Sequence, residues 1–153
     1  MSKEISNFLN DYINQLKNSL LSSNINNIHK ASLAIKNASK KRKNIFVCGN
    51  GGSTAISNHY VCDYLKFLRQ NSLIRPKIIS LSNSAETITA IGNDISFDQI
   101  FRFQAESLSE KGDLLIVISS SGNSNNIKEV IKFAKIKGLK IIGFSGFNGG
   151  FVK

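Results

Sequence analysis

Apolar residues recur at three- and four-residue steps through the first forty positions. Beyond them they gather into short unbroken runs separated by helical patterns. Ile5, Phe8, Leu9, Tyr12, Ile13, Leu16 and Leu20 make one stripe, which predicts an amphipathic helix. Ile28, Ala31, Ile35 and Ala38 predict a second helix over about 26–39. Two such helices ahead of an α/β region need a surface for their stripes, and a partner subunit is a candidate.

From residue 44 onward strands and helices alternate. Ile45-Phe46-Val47-Cys48, 77–81, Leu114-Leu115-Ile116-Val117-Ile118 and Lys140-Ile141-Ile142-Gly143-Phe144 read as strands. Helices are expected over 53–70, with Ser53 as cap, over 85–91, 96–109, and 125–137, the last stopped by Gly138. Gly92-Asn93-Asp94 and Lys111-Gly112-Asp113 read as turns. Strands apolar throughout and separated by helices indicate a parallel sheet covered on both faces, a three-layer α/β/α sandwich. A flavodoxin-like order 2-1-3-4 would set the ends of strands 1 and 3 beside the switch point, where such sheets bind ligands. Neither repeat nor linker interrupts the pattern. One domain over 1–153 is expected, with N-terminal helices over 1–43 and an α/β core over 44–153.

The loops after strands 1 and 3 carry the chemistry. Gly49-Asn50-Gly51-Gly52-Ser53 and Ser119-Ser120-Ser121-Gly122-Asn123-Ser124 each link a strand to a helix. Small residues let the backbone approach a ligand, while hydroxyls and helix-start N–H groups suit an anion such as phosphate. A tight strand-to-helix connection is the bland reading of each loop. Neither the G-x-G-x-x-G nor the G-x-x-x-x-G-K-[ST] spacing occurs, which argues against a dinucleotide fold and a nucleotide triphosphatase.

On the following helix, His59 and Asp63 are four residues apart and share a face. Asp63 falls among Ile56, Tyr60, Tyr64 and Phe67, a stripe expected to face the core. The pair suits a divalent metal, a general base beside a sugar, or a structural His–Asp contact. His29 has no such company and is expected on a helix surface.

Composition narrows the partners. The net charge is +10, but it rests on sixteen Lys against four Arg, so specific nucleic-acid binding is not the favoured reading. No apolar run nears the ~20 residues that span a bilayer, and Met1-Ser2-Lys3-Glu4-Ile5 lacks signal-peptide character, so a cytoplasmic protein is expected. Cys48 and Cys62 lack a CxxC spacing and are expected to be buried thiols.

Five segments together resemble the sugar isomerase (SIS) domain superfamily, and within it the phosphoheptose isomerase family. They are Cys48-Gly49-Asn50-Gly51-Gly52-Ser53, Thr89-Ala90-Ile91-Gly92-Asn93-Asp94, Gly112-Asp113-Leu114-Leu115, Ser119-Ser120-Ser121-Gly122-Asn123-Ser124 and Gly146-Phe147-Asn148-Gly149-Gly150. The resemblance implies isomerisation of sedoheptulose 7-phosphate to D-glycero-D-manno-heptose 7-phosphate by a homotetramer with sites shared between subunits. It implies that Ser53, Ser119, Ser121 and Ser124 hold the phosphate, with Ser120 beside them. Asn50, Gly51, Gly52, Asn93 and Asp94 would contact the sugar. His59 corresponds to a ligand of zinc or another divalent cation. Asp63 stands where the family has a glutamate that binds metal and acts as base. A base withdrawn by ~1 Å can lose on the order of 10²-fold in rate. The family pattern continues through a further strand and a long helix that supplies a glutamine and a histidine. The sequence given ends at Lys153, so the expected ligand set is incomplete. A non-catalytic sugar-phosphate sensor, or an adaptor of the type that associates with a replication initiator, is the alternative expectation.

Overall fold

The computed structural model describes residues 2–153. The chain divides into two compact units between Leu33 and Ala34. The first holds α1 (Ser2–Leu21) and the start of α2 (Ile25–Lys40), both at the expected positions. The α1 stripe is present but uncovered: Phe8, Tyr12, Ile13 and Leu20 are each more than half exposed. No helix of the described residues is long and apolar enough to cross a membrane.

The second unit is built on four parallel strands, β1 (Asn44–Gly49), β2 (Lys77–Ser80), β3 (Leu114–Ser119) and β4 (Lys140–Ser145), in the order β2-β1-β3-β4. The register sets Gly49 opposite Ile118, so the two small-residue loops leave neighbouring strands at the same edge. Successive strand residues point to opposite faces. Phe46, Cys48, Leu115 and Val117 form one core with α5 (Ala85–Asp94), α6 (Ile100–Leu108) and α7 (Asn125–Lys137), through Ile91, Phe101, Ala105, Ile127 and Val130. On the other face Ile45, Val47, Leu114 and Ile116 are fully buried, and α3 (Gly52–Cys62) packs on β1, β2 and β3. The unit is therefore the expected three-layer α/β/α arrangement.

Local chemistry fixes the ends. Gly138 adopts a left-handed φ of 80°, and its N–H reaches the carbonyls of Ala134 and Lys135, closing α7 where the sequence places the stop. At the start of β3 the buried Asp113 carboxylate accepts from the Asn44 N–H at 3.0 Å, Asn44 Nδ2 at 3.3 Å and the Glu110 N–H at 2.9 Å. It thereby ties the entries of β1 and β3 together.

Three expectations change. Residues 92–94 are not a turn but the last turn of α5, which ends when the N–H groups of Ile95 and Ser96 both bond the Ile91 carbonyl at 3.0 Å. Capping by Ser84, which accepts from the Thr87 N–H, and burial of Ile91 outweigh the ~1 kcal/mol weakness of a helical glycine. Ser53 does not cap α3; Gly51 does, with no side-chain bond. The expected continuous helix to residue 70 is interrupted by a π-helical turn over Asp63–Leu68 before a final turn, α4 (Arg69–Asn71). Such turns recur at functional positions and rotate the side chains that follow.

Candidate functional site

The first loop is organised around Gly49. Its N–H donates to Ser82 Oγ at 3.1 Å, and its carbonyl accepts from Ser82 Oγ at 3.0 Å and Thr54 Oγ1 at 2.7 Å. A Cβ here would lie 2.6 Å from Ser53 Cβ and 2.7 Å from the Ile118 carbonyl oxygen, so the strand end tolerates only glycine. Gly51 holds φ 53°, and open space surrounds the places a Cβ would take at Gly51 and Gly52. The backbone is bare where a ligand would approach.

In the second loop Ser119 is buried, and its carbonyl and Oγ share the Gly122 N–H at 3.1 and 3.2 Å. Ser121 Oγ accepts from the Asn123 N–H at 3.2 Å. Ser124 is the residue before α7, yet its hydroxyl makes no capping bond. The first-turn N–H groups of α7 lack carbonyl partners by helical geometry, so this end of the helix offers donors to an anion.

The two loops meet. Asn50 Nδ2 donates to Asn126 Oδ1 at 2.9 Å, and Asn126 Nδ2 donates to Asn50 Oδ1 at 3.0 Å. This reciprocal amide pair joins the residue after β1 to the first turn of α7. Asn126, 2% exposed, is a positioning residue that the sequence reading passed over, as is Ser82. Each is a polar residue buried at a strand or helix end, which pattern reading alone does not distinguish from turn chemistry.

The last residues complete the second loop. The Gly146 N–H bonds the Ser120 carbonyl at 2.9 Å; the Phe151 N–H bonds the Gly122 carbonyl at 3.0 Å and Asn123 Oδ1 at 3.2 Å. Gly149 and Gly150 hold φ of 91° and 54°, which explains the glycine cluster in that segment.

His59 Nε2 lies 3.5 Å from Asp63 Oδ1, and the side chains are 73% and 54% exposed. The stripe expected to face the core does not: Ile56 and Phe67 are more than half exposed, and the inward residue of α3 is Ser57, whose Oγ donates to the Ser53 carbonyl at 2.8 Å. Asp63 opens the π-turn. Half-burial raises the pKa of Tyr60, and the negative charge of Asp63 adds to that. Tyr64 stacks on Tyr60 at 5.3 Å and is pushed up to about 12 by burial and by its neighbour. At a rise of ~1.5 Å per residue, Asp63 stands ~15 Å along α3 from Ser53. Asn93 and Asp94 are exposed at the end of α5 and bond each other at 2.8 Å; among the described residues no hydrogen bond joins them to either loop. His29 is exposed, as expected. Among the described residues no group of three or more His, Cys, Asp or Glu is placed to hold a metal ion. His59 and Asp63 therefore offer two donors, fewer than the three protein ligands usual in a catalytic zinc centre.

The comparisons agree with this geometry. The family model described as the SIS domain matches residues 8–146. A phosphoheptose isomerase of Campylobacter concisus is 42% identical over 111 residues, 72% of this chain and 58% of that protein. One of Nitratiruptor is 40% identical over 82% of this chain and 67% of its own length. One of Buchnera aphidicola is 38% identical over 99% of this chain and 72% of its own. The solved phosphoheptose isomerase of Francisella tularensis superposes with a TM-score of 0.84 at 32% identity, covering 98% of this chain and 77% of that one. That of Neisseria gonorrhoeae gives 0.85 at 27% identity, covering 99% and 78%. This chain thus spans between about five and eight tenths of the proteins it matches. The relatives carry the isomerase name, which favours that branch over the sensor or adaptor reading. With the loops adjacent, the sheet order as expected and the match running through most of its length, this chain belongs to the SIS domain family, in its phosphoheptose isomerase branch.

Proposed function

We propose that this chain is part of a ketose–aldose isomerase that converts sedoheptulose 7-phosphate to D-glycero-D-manno-heptose 7-phosphate. The Asn50–Asn126 pair carries the reading, because it brings a bare glycine backbone and a serine-lined helix start to one place. Ser119, Ser120, Ser121 and Ser124, with the first-turn N–H groups of α7, would hold the phosphate dianion. Asn50, Gly51, Gly52 and Ser53 would line its other side, and Asn93 and Asp94 would contact sugar hydroxyls.

In this reading Asp63 is the general base. Its carboxylate takes a proton from C1 of the ketose, and the C1–H electrons form a C1=C2 enediol as the C2 carbonyl oxygen gains a proton. Return of the proton to C2 and loss of the O1 proton leave the aldehyde at C1, with no net gain or loss of atoms. His59, 3.5 Å away, would orient that carboxylate. The same two residues would supply two ligands of a divalent cation, whose chemistry when bound is to polarise the substrate oxygens. An exposed base is poorly suited to an enediol, which needs shelter from water. The uncovered faces of α1 and of the π-turn support assembly into a homotetramer in which a neighbouring copy covers Asp63.

The test is incubation of the assembled protein with sedoheptulose 7-phosphate and zinc in deuterium oxide, followed by proton NMR. Deuterium entering at C1 of the ketose and C2 of the aldose is expected. Asp63→Asn should abolish exchange, and S121A/S124A should raise KM with a smaller change in kcat. Absence of both exchange and aldose from the assembled protein would overturn the reading.

A further inference from the structure

The basic charge of this chain has one concentrated feature that the loops do not use. Three of the four arginines, Arg42, Arg69 and Arg75, surround a cavity of about 310 Å³. Tyr64, Leu65 and Pro76 complete its wall. Its place in the fold is set by the sheet. Arg42 precedes β1 and Arg75-Pro76 precedes β2, and those strands pair from Asn44 with Lys77. The cavity therefore lies at the edge where strands begin. The loops lie where they end, some 17 Å away at ~3.3 Å per strand residue.

Two of the three arginines are held. Arg42 Nη1 donates to the Arg75 carbonyl at 2.7 Å, from a backbone at φ 56° that a non-glycine residue rarely adopts. Arg75 Nη1 donates to the carbonyls of Ser72 at 2.8 Å and Ile74 at 3.0 Å. These bonds use one nitrogen of each guanidinium and leave the other donors of the fork available. Among the described residues the lysines and arginines in ion pairs are Lys43, Arg102 and Lys132, so these three cations are not neutralised by such pairs. Guanidinium forks match phosphate oxygens geometrically, and the volume is at the small end of ligand sites. An aromatic and aliphatic wall facing them fits the ring or carbon body of an ester rather than a bare ion.

We infer that the cavity between Arg42, Arg69, Arg75 and Tyr64 binds a small phosphate ester, at a site separate from the serine loops. The inference does not rest on the isomerase reading. Isothermal titration of the full chain with phenyl phosphate and with inorganic phosphate tests it. The S121A/S124A variant removes hydroxyls of the loop; Arg69→Gln and Arg69→Glu change the arginine whose guanidinium makes no hydrogen bond among the described residues. Phenyl phosphate should still bind S121A/S124A, in which the serine loop no longer competes for it. Arg69→Gln should weaken that binding about tenfold, a typical loss for one charge-assisted contact, and Arg69→Glu should weaken it further. Thermal melts of both Arg69 variants matching the parent keep the loss from being one of folding, since Arg69 is exposed. Binding abolished by S121A/S124A but indifferent to Arg69 would overturn the site. Equal affinity for inorganic and phenyl phosphate would overturn the ester.

Discussion

The joint between the two loops can be measured. Replacing Asn126 by alanine removes both amide hydrogen bonds, 2.9 and 3.0 Å long, and leaves the Asn50 amide half-buried without its partner. A neutral hydrogen bond contributes about 0.5–1.5 kcal/mol net, so two contribute about 1–3 kcal/mol. Alanine returns about 0.5 kcal/mol through helix propensity in the first turn of α7. The expected destabilisation is about 1.5 kcal/mol, which in a chain of this size lowers Tm by about 3–6 °C. Urea denaturation at fixed protein concentration reads it directly, with m unchanged because the surface exposed on unfolding is the same.

The decisive measurement is the cycle with Asn50→Ala. If the amides hold each other, the double variant loses less than the sum of the singles, by about 1–2 kcal/mol. Hydrogen exchange at residues 50–54 should accelerate in Asn126→Ala, since the glycine loop loses its link to α7. Additivity of the two substitutions to within about 0.5 kcal/mol would show that the residues act independently and that this pair does not register the loops.

Gly122→Ala should destabilise the chain by about 2 kcal/mol or more. Its Cβ would stand 2.0 Å from the Gly149 carbonyl oxygen at φ 67°, so limited proteolysis should cut within 146–153 faster than in the parent. Asp63→Glu lengthens the proposed base by one methylene; in the deuterium-exchange assay it should raise kcat by about tenfold or more, and a fall would count against Asp63 as the base. Native protein should release about one thiol equivalent to a thiol reagent at pH 8. Cys62 is exposed, contrary to expectation, whereas burial pushes the Cys48 thiol far up and holds it neutral and shielded; about two equivalents should appear in denaturant.

The sequence made the sheet legible because strand burial is a local property. An unbroken run such as Leu114–Ile118 has to be covered on both faces wherever it sits, and 2-1-3-4 is the order that crossover handedness and ligand placement favour. Gly138 was legible for the same reason: a left-handed stop is written in one residue. What covers the apolar stripes of α1 and of Ile56, Tyr60, Tyr64 and Phe67 was not. Periodicity states that a stripe exists and is silent on what covers it: Phe67 has the spacing of a core residue and stays exposed. Nor did any residue type announce the π-turn at Asp63, since its residues read as ordinary helix formers and its geometry departs from the 3.6-residue period on which the reading depends.

This division bears on the proposed chemistry. The proposed phosphate grip follows from sheet order: once β1 and β3 are neighbours, their loops share an edge, and one amide pair joins them. The proposed base follows from something else. Asp63 lies just past the end of α3, exposed, at the residue where the helix changes pitch. Its direction is set by that local turn rather than by the sheet, and its surroundings by whatever meets the open face. The binding half of the proposal can therefore be tested on this fold through Asn126 and Ser124 alone, whereas the catalytic half must be tested in the assembled protein. Loss of assembly should remove deuterium exchange while leaving phosphate binding at the serine loop in place.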